Sequence, residues 1–230
     1  MSQPATETGH GAIHSCVNPY SGAAAHRDPP PPAVEGQTNR LRGPDGSRAD
    51  LLKQRRNPAG SLAAVDHVLV TDRLVLRPVT PADQAGLLAH WRAPQVRRFL
   101  FDGTVLPAAD VTRVIEDSAA SFAAAGYGLW LIREAGGRDL VGTAGLRPLD
   151  DIGVEVIYSL DPGVQGSGYA TEAARAVVNY ALGPLGLPEV LAEIDQDNAA
   201  SAAVAQRLGM SPFEVVPGAL GPMTHYRKTR

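Results

Sequence analysis

The residues best suited to chemistry in this chain lie in one run, Asp161-Pro162-Gly163-Val164-Gln165-Gly166-Ser167-Gly168-Tyr169-Ala170-Thr171-Glu172. An apolar stretch, Val154 to Leu160, leads into it, and an apolar-periodic stretch, Ala170 to Leu182, follows. A glycine-rich turn between a strand and a helix leaves the first helical N–H groups without intrahelical acceptors, and the helix dipole adds partial positive charge there. Such a turn suits a phosphate or pyrophosphate. A nucleoside-triphosphate loop would need G-x-x-x-x-G-K-[ST], and no Lys follows these glycines. A dinucleotide fingerprint would need a third small residue. Gly166 and Gly168 fit it, Thr171 does not, and Glu189 stands near the spacing of a ribose contact. A strand–helix turn that is rich in Gly for purely structural reasons is the bland alternative.

The residues around the glycines narrow the choice. Gln165-Gly166-Ser167-Gly168-Tyr169-Ala170 matches a Q/R-x-x-G-x-G/A pattern, which continues through Thr171-Glu172-Ala173. Asp197-Asn198-Ala199-Ala200-Ser201 and Arg207-Leu208-Gly209-Met210 follow in order, and Thr71-Asp72-Arg73-Leu74-Val75-Leu76-Arg77 with Asp83 precedes them. From about residue 65 to the end, the chain resembles the GNAT superfamily of coenzyme A-dependent N-acyltransferases. Within it, the chain is similar to the Rim-type branch, which acetylates N-terminal amines and related small-molecule amines. Each motif alone is moderately specific; their order carries the resemblance.

The resemblance implies acetyl-CoA as cofactor, and a small-molecule amine or a protein N-terminus as acceptor. It implies that Gln165, Gly166, Ser167, Gly168, Tyr169, Ala170 and Thr171 hold the pyrophosphate. Tyr169 either packs beside the cofactor or lies on the sheet. The pantetheine arm is expected along the backbone of Ile157, Tyr158 and Ser159, in a cleft between splayed strands. Asn198 and Ser201 would face the arm and the thiol. Dimers are common among the proteins it resembles, so a homodimer is one expected arrangement.

Acyl transfer to an amine needs a neutral amine, donors for the oxyanion, and a proton or dipole for the leaving thiolate. Glu155 is the one charge in the apolar run Val154 to Leu160, and period two puts it on a face with Ile157 and Ser159. A carboxylate against apolar neighbours has a raised pKa, which suits a general base. A substrate-binding carboxylate or a structural ion pair are the competing roles. Asn198 and Ser201, three apart, share a helix face, and Asn198 also reads as an N-cap. Many GNAT enzymes carry a Tyr seven residues after this Asn as the thiolate's acid; here Ala205 stands there. Ser201 is then the nearest replacement, with Tyr226 as a second candidate. Glu172 complements the helix dipole and reads as structural. Asp150 and Asp151 read as turn formers, and His90 and His225 as isolated structural residues. No metal-ligand spacing is present.

These residues require a particular set of elements. Residues 68 to 79 alternate apolar and charged, as a half-buried strand does. Thr80-Pro81 opens a helix running to about Arg92, a shorter one follows near residues 94 to 98, and residues 107 to 125 form a third, ended by Gly126. Strands are expected at 128–133, 140–148 and 153–160, with turns at Gly136-Gly137 and Asp150-Asp151. Beyond the glycine turn come a helix to Leu182, a strand at 190–194, a helix at 199–208 and two short final strands. The fold class is α+β, a mixed α/β arrangement. Its central sheet is mixed and mostly antiparallel, with splayed strands and flanking helices, as the GNAT fold would have it.

The 230 residues carry a formal charge of −3. A nucleic-acid reader would show a basic face, and Arg97-Arg98 and Arg227-Lys228 are too sparse to form one. No stretch has the 18 or so apolar residues of a membrane helix. A cytoplasmic protein, with neither nucleic acid nor membrane as partner, is expected. Residues 1–62 are rich in Gly and Pro, including Pro29-Pro30-Pro31-Pro32, and hold the single Cys16. They read as a disordered tail or an over-extended gene start, with residues 63–230 as the acyltransferase domain. Two other readings stay open: a coenzyme A-binding sensor without turnover, and dinucleotide binding at the glycine turn.

Overall fold

The computed structural model describes residues 67–230. The expectations for residues 1–62 lie outside that range. Eight strands form one sheet: β1 (Leu69–Val70), β2 (Leu74–Pro78), β3 (Leu129–Glu134), β4 (Gly142–Leu149), β5 (Gly153–Leu160), β6 (Glu189–Asp195), β7 (Ser211–Gly218) and β8 (Gly221–Thr229). Their order is β1-β2-β3-β4-β5-β6-β8-β7. Every neighbouring pair is antiparallel except β5 and β6, which are parallel and meet at one register position, Glu155 opposite Leu191. Beyond it the two strands part, as the expected splay requires.

Five α-helices cover the sheet: α1 (Gln84–Arg92), α2 (Pro94–Leu100), α3 (Ala108–Ala125), α4 (Tyr169–Leu182) and α5 (Ala199–Arg207). Alternation along β3 explains why there are two cores. Trp130 and Ile132 enter a core with Val177, Val178 and Ala181 of α4. Leu129 and Leu131 enter a second with Leu87 and Trp91 of α1 and Val111, Val114 and Ile115 of α3. Strand residues one apart face opposite ways, so one strand seeds both layers.

Residues 68 to 79 depart from expectation. They form two strands, because the Thr71 Oγ1 accepts from Leu74 N at 2.9 Å while Thr71 N donates to Leu74 O at 2.9 Å. That closes a turn between β1 and β2. The alternation runs through the turn and hides it. The helix entry is as expected: Thr80 and Asp83 form a capping box around a 3-10 turn, Pro81–Asp83. Arg77 clamps the same Asp83 at 2.7 and 2.5 Å, which ties β2 to the start of α1. Gly126 ends α3 in the left-handed conformation (φ 76°).

Candidate active site

A cleft of about 1250 Å³ runs along the splay between β5 and β6. The glycine turn lies at one end and carboxylates lie at the other.

The turn is held open by local hydrogen bonds. Asp161 Oδ1 accepts from Gly163 N at 2.8 Å, and Ser167 Oγ donates to Val164 O at 2.5 Å. Gly166 (φ 82°) and Gly168 (φ 85°) are both left-handed, a conformation that costs other residues energy. A Cβ on Gly166 would meet open space, so it is the backbone angle that demands Gly there. The first N–H groups of α4, at Tyr169, Ala170 and Thr171, have no acceptor earlier in the helix. This is a fitting cradle for a pyrophosphate.

The turn is also fastened from outside. Arg73, beside the β1–β2 turn, reaches Glu172 through Nε at 2.7 Å and Nη2 at 2.6 Å, and donates through Nη1 to Ser167 O at 3.0 Å. Thr71 Oγ1 donates to Glu172 at 2.6 Å, and Arg73 N does so at 3.0 Å. Burial pushes the Glu172 carboxyl up, but these bonds outweigh it and hold its pKa below the ordinary value. Arg73 also lies over the Tyr169 ring at 4.6 Å, and Tyr169 donates to Glu134 at 2.6 Å. Glu172 is thus a structural tie, as expected, and Tyr169 is part of the brace.

Glu155 sits at the fork of the splay, only 1% exposed. Its Oε1 accepts from Arg147 Nε at 2.6 Å, and its Oε2 from Glu193 N at 3.3 Å. The second bond satisfies a β6 donor just past the last β5–β6 pairing. Burial raises the Glu155 pKa; Arg147 opposes the rise without cancelling it. The carboxylate therefore joins three strands and still lines the cleft.

Ile157, Tyr158 and Ser159 also line the cleft, on a β5 edge with no ladder partner beyond Glu155. Ser159 meets His90 Nε2 at 2.8 Å and Thr143 Oγ1 at 2.9 Å, in a buried network. Burial lowers His90 to about 4, against an opposing pull from Asp161, so its ring is neutral at pH 7. At the α5 end, Asn198 caps the helix by accepting from Ser201 N at 3.1 Å, and both residues line the cleft. The Tyr158 hydroxyl donates to Ser201 O at 3.3 Å, and burial pushes its pKa up to about 12.

The structure brings Glu155, Ile157, Tyr158, Ser159, Gln165, Gly166, Gly168, Ala170, Thr171, Asn198 and Ser201 to one cleft. Ser167, Tyr169 and Tyr226 are not among the residues that line it: Ser167 bonds within the turn, Tyr169 joins the brace, and Tyr226 packs on the α4 core. Arg147, Glu193 and Asp195 were not singled out from the sequence, Arg73 appeared only within a motif, and His90 only as an isolated structural residue. The burial of His90 was readable from its place beside Trp91 on the apolar face of α1, but its partner across 69 residues was not.

Residues 73–211 match the acetyltransferase (GNAT) domain family model. The chain belongs to the GNAT acetyltransferase family. An acetyltransferase of this family takes its acetyl group from acetyl-CoA. The uncharacterised N-acetyltransferase YoaA of Bacillus subtilis is 28% identical over 144 residues, which span 62% of this chain and 81% of YoaA. The crystal structure of an acetyltransferase from Agrobacterium tumefaciens is 26% identical, with a TM-score of 0.63, and covers 76% of this chain and 99% of its own. RimL, a ribosomal L7/L12 α-N-protein acetyltransferase in complex with coenzyme A, shares the fold at 18% identity with a TM-score of 0.61, over 70% of this chain and 97% of its own. Among the described residues of this GNAT acetyltransferase, no helix is long and apolar enough to cross a membrane.

Proposed function

We propose that this protein is an N-acetyltransferase that moves the acetyl group of acetyl-CoA directly onto a primary amine while both are bound. The observation that carries this reading is the continuity of the cleft, which runs from the glycine turn, along the unpaired edge of β5, to Glu155. The turn from Gln165 to Thr171 would hold the pyrophosphate. The free β5 edge would pair with the amide-bearing arm as a sheet edge pairs with a peptide. When bound, acetyl-CoA supplies an activated thioester.

The chain's own groups do the rest. Glu155 takes the proton of the acceptor ammonium, through a water, because burial has raised its pKa toward the working range. A backbone N–H of β5 near Ile157 polarises the carbonyl. Ser201 and Tyr158 place hydroxyl groups at the α5 end, where the leaving sulfur needs a proton. Tyr158, with its high pKa, keeps its hydroxyl proton at neutral pH. The only Cys is Cys16, and no cysteine lies in the matched domain, so direct attack replaces a covalent acyl-enzyme. The acceptor is a protein N-terminus, as RimL's name states for that protein, or a small-molecule amine.

Calorimetric titration with acetyl-CoA, followed by thiol release over an amine panel, tests the reading. Binding with turnover of a primary amine supports it. Binding without product over the whole panel would favour a coenzyme A-binding module, and no binding would remove the cofactor assignment.

A further inference from the structure

The transfer chemistry leaves one buried charge at the acceptor end unused. In β6, Val190, Ala192 and Ile194 enter the α4 core, so Leu191, Glu193 and Asp195 face the opposite side of the sheet. Glu155 and Ile157 face that side too, with Ile157 packed on the core of α1 to α3. Glu155, Glu193 and Asp195 all line the cleft. Three acids near it hold a basic partner: Glu155 has Arg147 at 2.6 Å, Glu193 has His225 at 2.8 Å, and Asp197, outside the cleft lining, has Arg98 at 2.6 Å. Asp195 has none among the described residues. It is 7% exposed, and its Oδ1 accepts no hydrogen bond. Burial, then Asp102, Asp197 and Glu193, disfavour its charge and outweigh the pull of its own backbone N–H. A buried carboxylate with an unsatisfied oxygen and no counter-charge is unfavourable. A cation brought by the substrate would relieve that cost.

A metal ion is a poor candidate for that cation. Among the described residues, no group of three or more His, Cys, Asp or Glu side chains is arranged to hold one. An organic cation on a thin chain fits better, because Asp195 is reached from the cleft and is otherwise enclosed. An α-amino acid would bring its own carboxylate against this acidic wall. A peptide N-terminus would bring a neutral amide.

We propose that Asp195 anchors a second ammonium group, and that the acceptor is an aliphatic diamine or polyamine whose other amine is acetylated beside Glu155. This rests on the acetyltransferase reading above.

The test uses the full chain and three acceptors of one length: 1,4-diaminobutane, butylamine and 4-aminobutyrate. Spermidine and an unblocked peptide are added. Acetyl-CoA binding is measured first by calorimetry, and its absence overturns the acetyltransferase reading itself. With binding present, kcat/KM for the diamine is expected to exceed that for butylamine by about tenfold or more, the size of one paired charge. 4-Aminobutyrate is expected to be slowest. The Asp195→Asn variant, isosteric and uncharged, is expected to bring the diamine-to-monoamine ratio close to one. Equal rates for diamine and monoamine, a preference for the peptide, no turnover of any amine, or a ratio unchanged in Asp195→Asn each overturn the proposal while leaving acetyl-CoA binding intact. If the variant does not fold, the wild-type ratio decides.

Discussion

The two ends of the cleft are built on different principles. The cofactor end is continuous in sequence. Residues 161–172 make the turn, close it with their own hydrogen bonds, and offer mainly backbone N–H groups. The acceptor end is assembled from side chains far apart in the chain: His90, Arg147, Glu155, Glu193 and Asp195. Its groups are buried, charged or titratable, and Arg147 and Glu193 meet Glu155 only through strand register. A backbone cradle binds a constant group, while a side-chain wall can be changed one residue at a time. One fold can thus keep its cofactor and alter its acceptor.

The largest expected effect breaks the cofactor end alone. Gly168→Asp puts a side chain at φ 85°, its Cβ about 3.4 Å from the Arg73 Nη2 that braces the turn, and adds a negative charge to the anion cradle. Acetyl-CoA affinity should fall by about a hundredfold or more, as like charge replaces a helix N-terminal anion site. Calorimetry reads it directly. Retained affinity would mean that the turn is not the anion site.

Glu155→Gln should break the other end. It keeps the side-chain shape but removes the proton acceptor, so kcat should fall about a hundredfold. Acetyl-CoA affinity should stay within about threefold by the same separation of roles. The wild-type rate should fall on the acid side as Glu155 protonates, at a pH above the ordinary Glu value because burial raises it. The variant should lack that limb. An unchanged rate at every pH would leave Glu155 as a strand joint only.

The same division explains what could be read from the sequence. The glycine turn, the Thr80 and Asn198 caps, the Gly126 stop and the face shared by Glu155, Ile157 and Ser159 are local or periodic, so residue order reveals them. The partners of Glu155 were hidden, because Arg147 arrives by the β4–β5 register and Glu193 N by the β5–β6 fork. Tyr226 was expected at the cleft, but strand parity relative to β6 sends it to the α4 core. Asp195 lies one residue past the strand expected at 190–194 and outside the Asp197-Asn198 motif, so neither drew attention to it. Its burial is a property of the assembled sheet.

A smaller effect separates the ends by pH. His90 titrates near 4 when folded, and near its ordinary value of about 6.5 when unfolded. Between those values the unfolded chain binds more protons, so stability falls as pH drops from about 6.5 and the loss is complete below about 4. The full loss is on the order of 3 kcal/mol. His90→Gln should flatten this part of the profile, read as urea midpoints between pH 7 and 4.5. Equal slopes in both proteins would mean that the ring is not held neutral behind Ser159.

The smallest expected effect tests whether the brace outside the turn belongs to the cofactor end. Arg73 is about half exposed, so its ion pair with Glu172 adds little to global stability. Its value lies in holding Ser167 O and the first turn of α4 in one geometry. Arg73→Ala should therefore raise KM for acetyl-CoA by about tenfold or less, since only positioning is lost, and leave kcat nearly unchanged. Arg73→Lys should recover part of the loss, because an ammonium keeps the charge but not the fork that spans Glu172 and Ser167. Glu172→Gln in the Arg73→Ala background should cost much less than it does alone, because the two residues act as one tie. Additive losses would show two independent contacts, and a fall in kcat with KM unchanged would place Arg73 in the chemistry instead of beside the cradle.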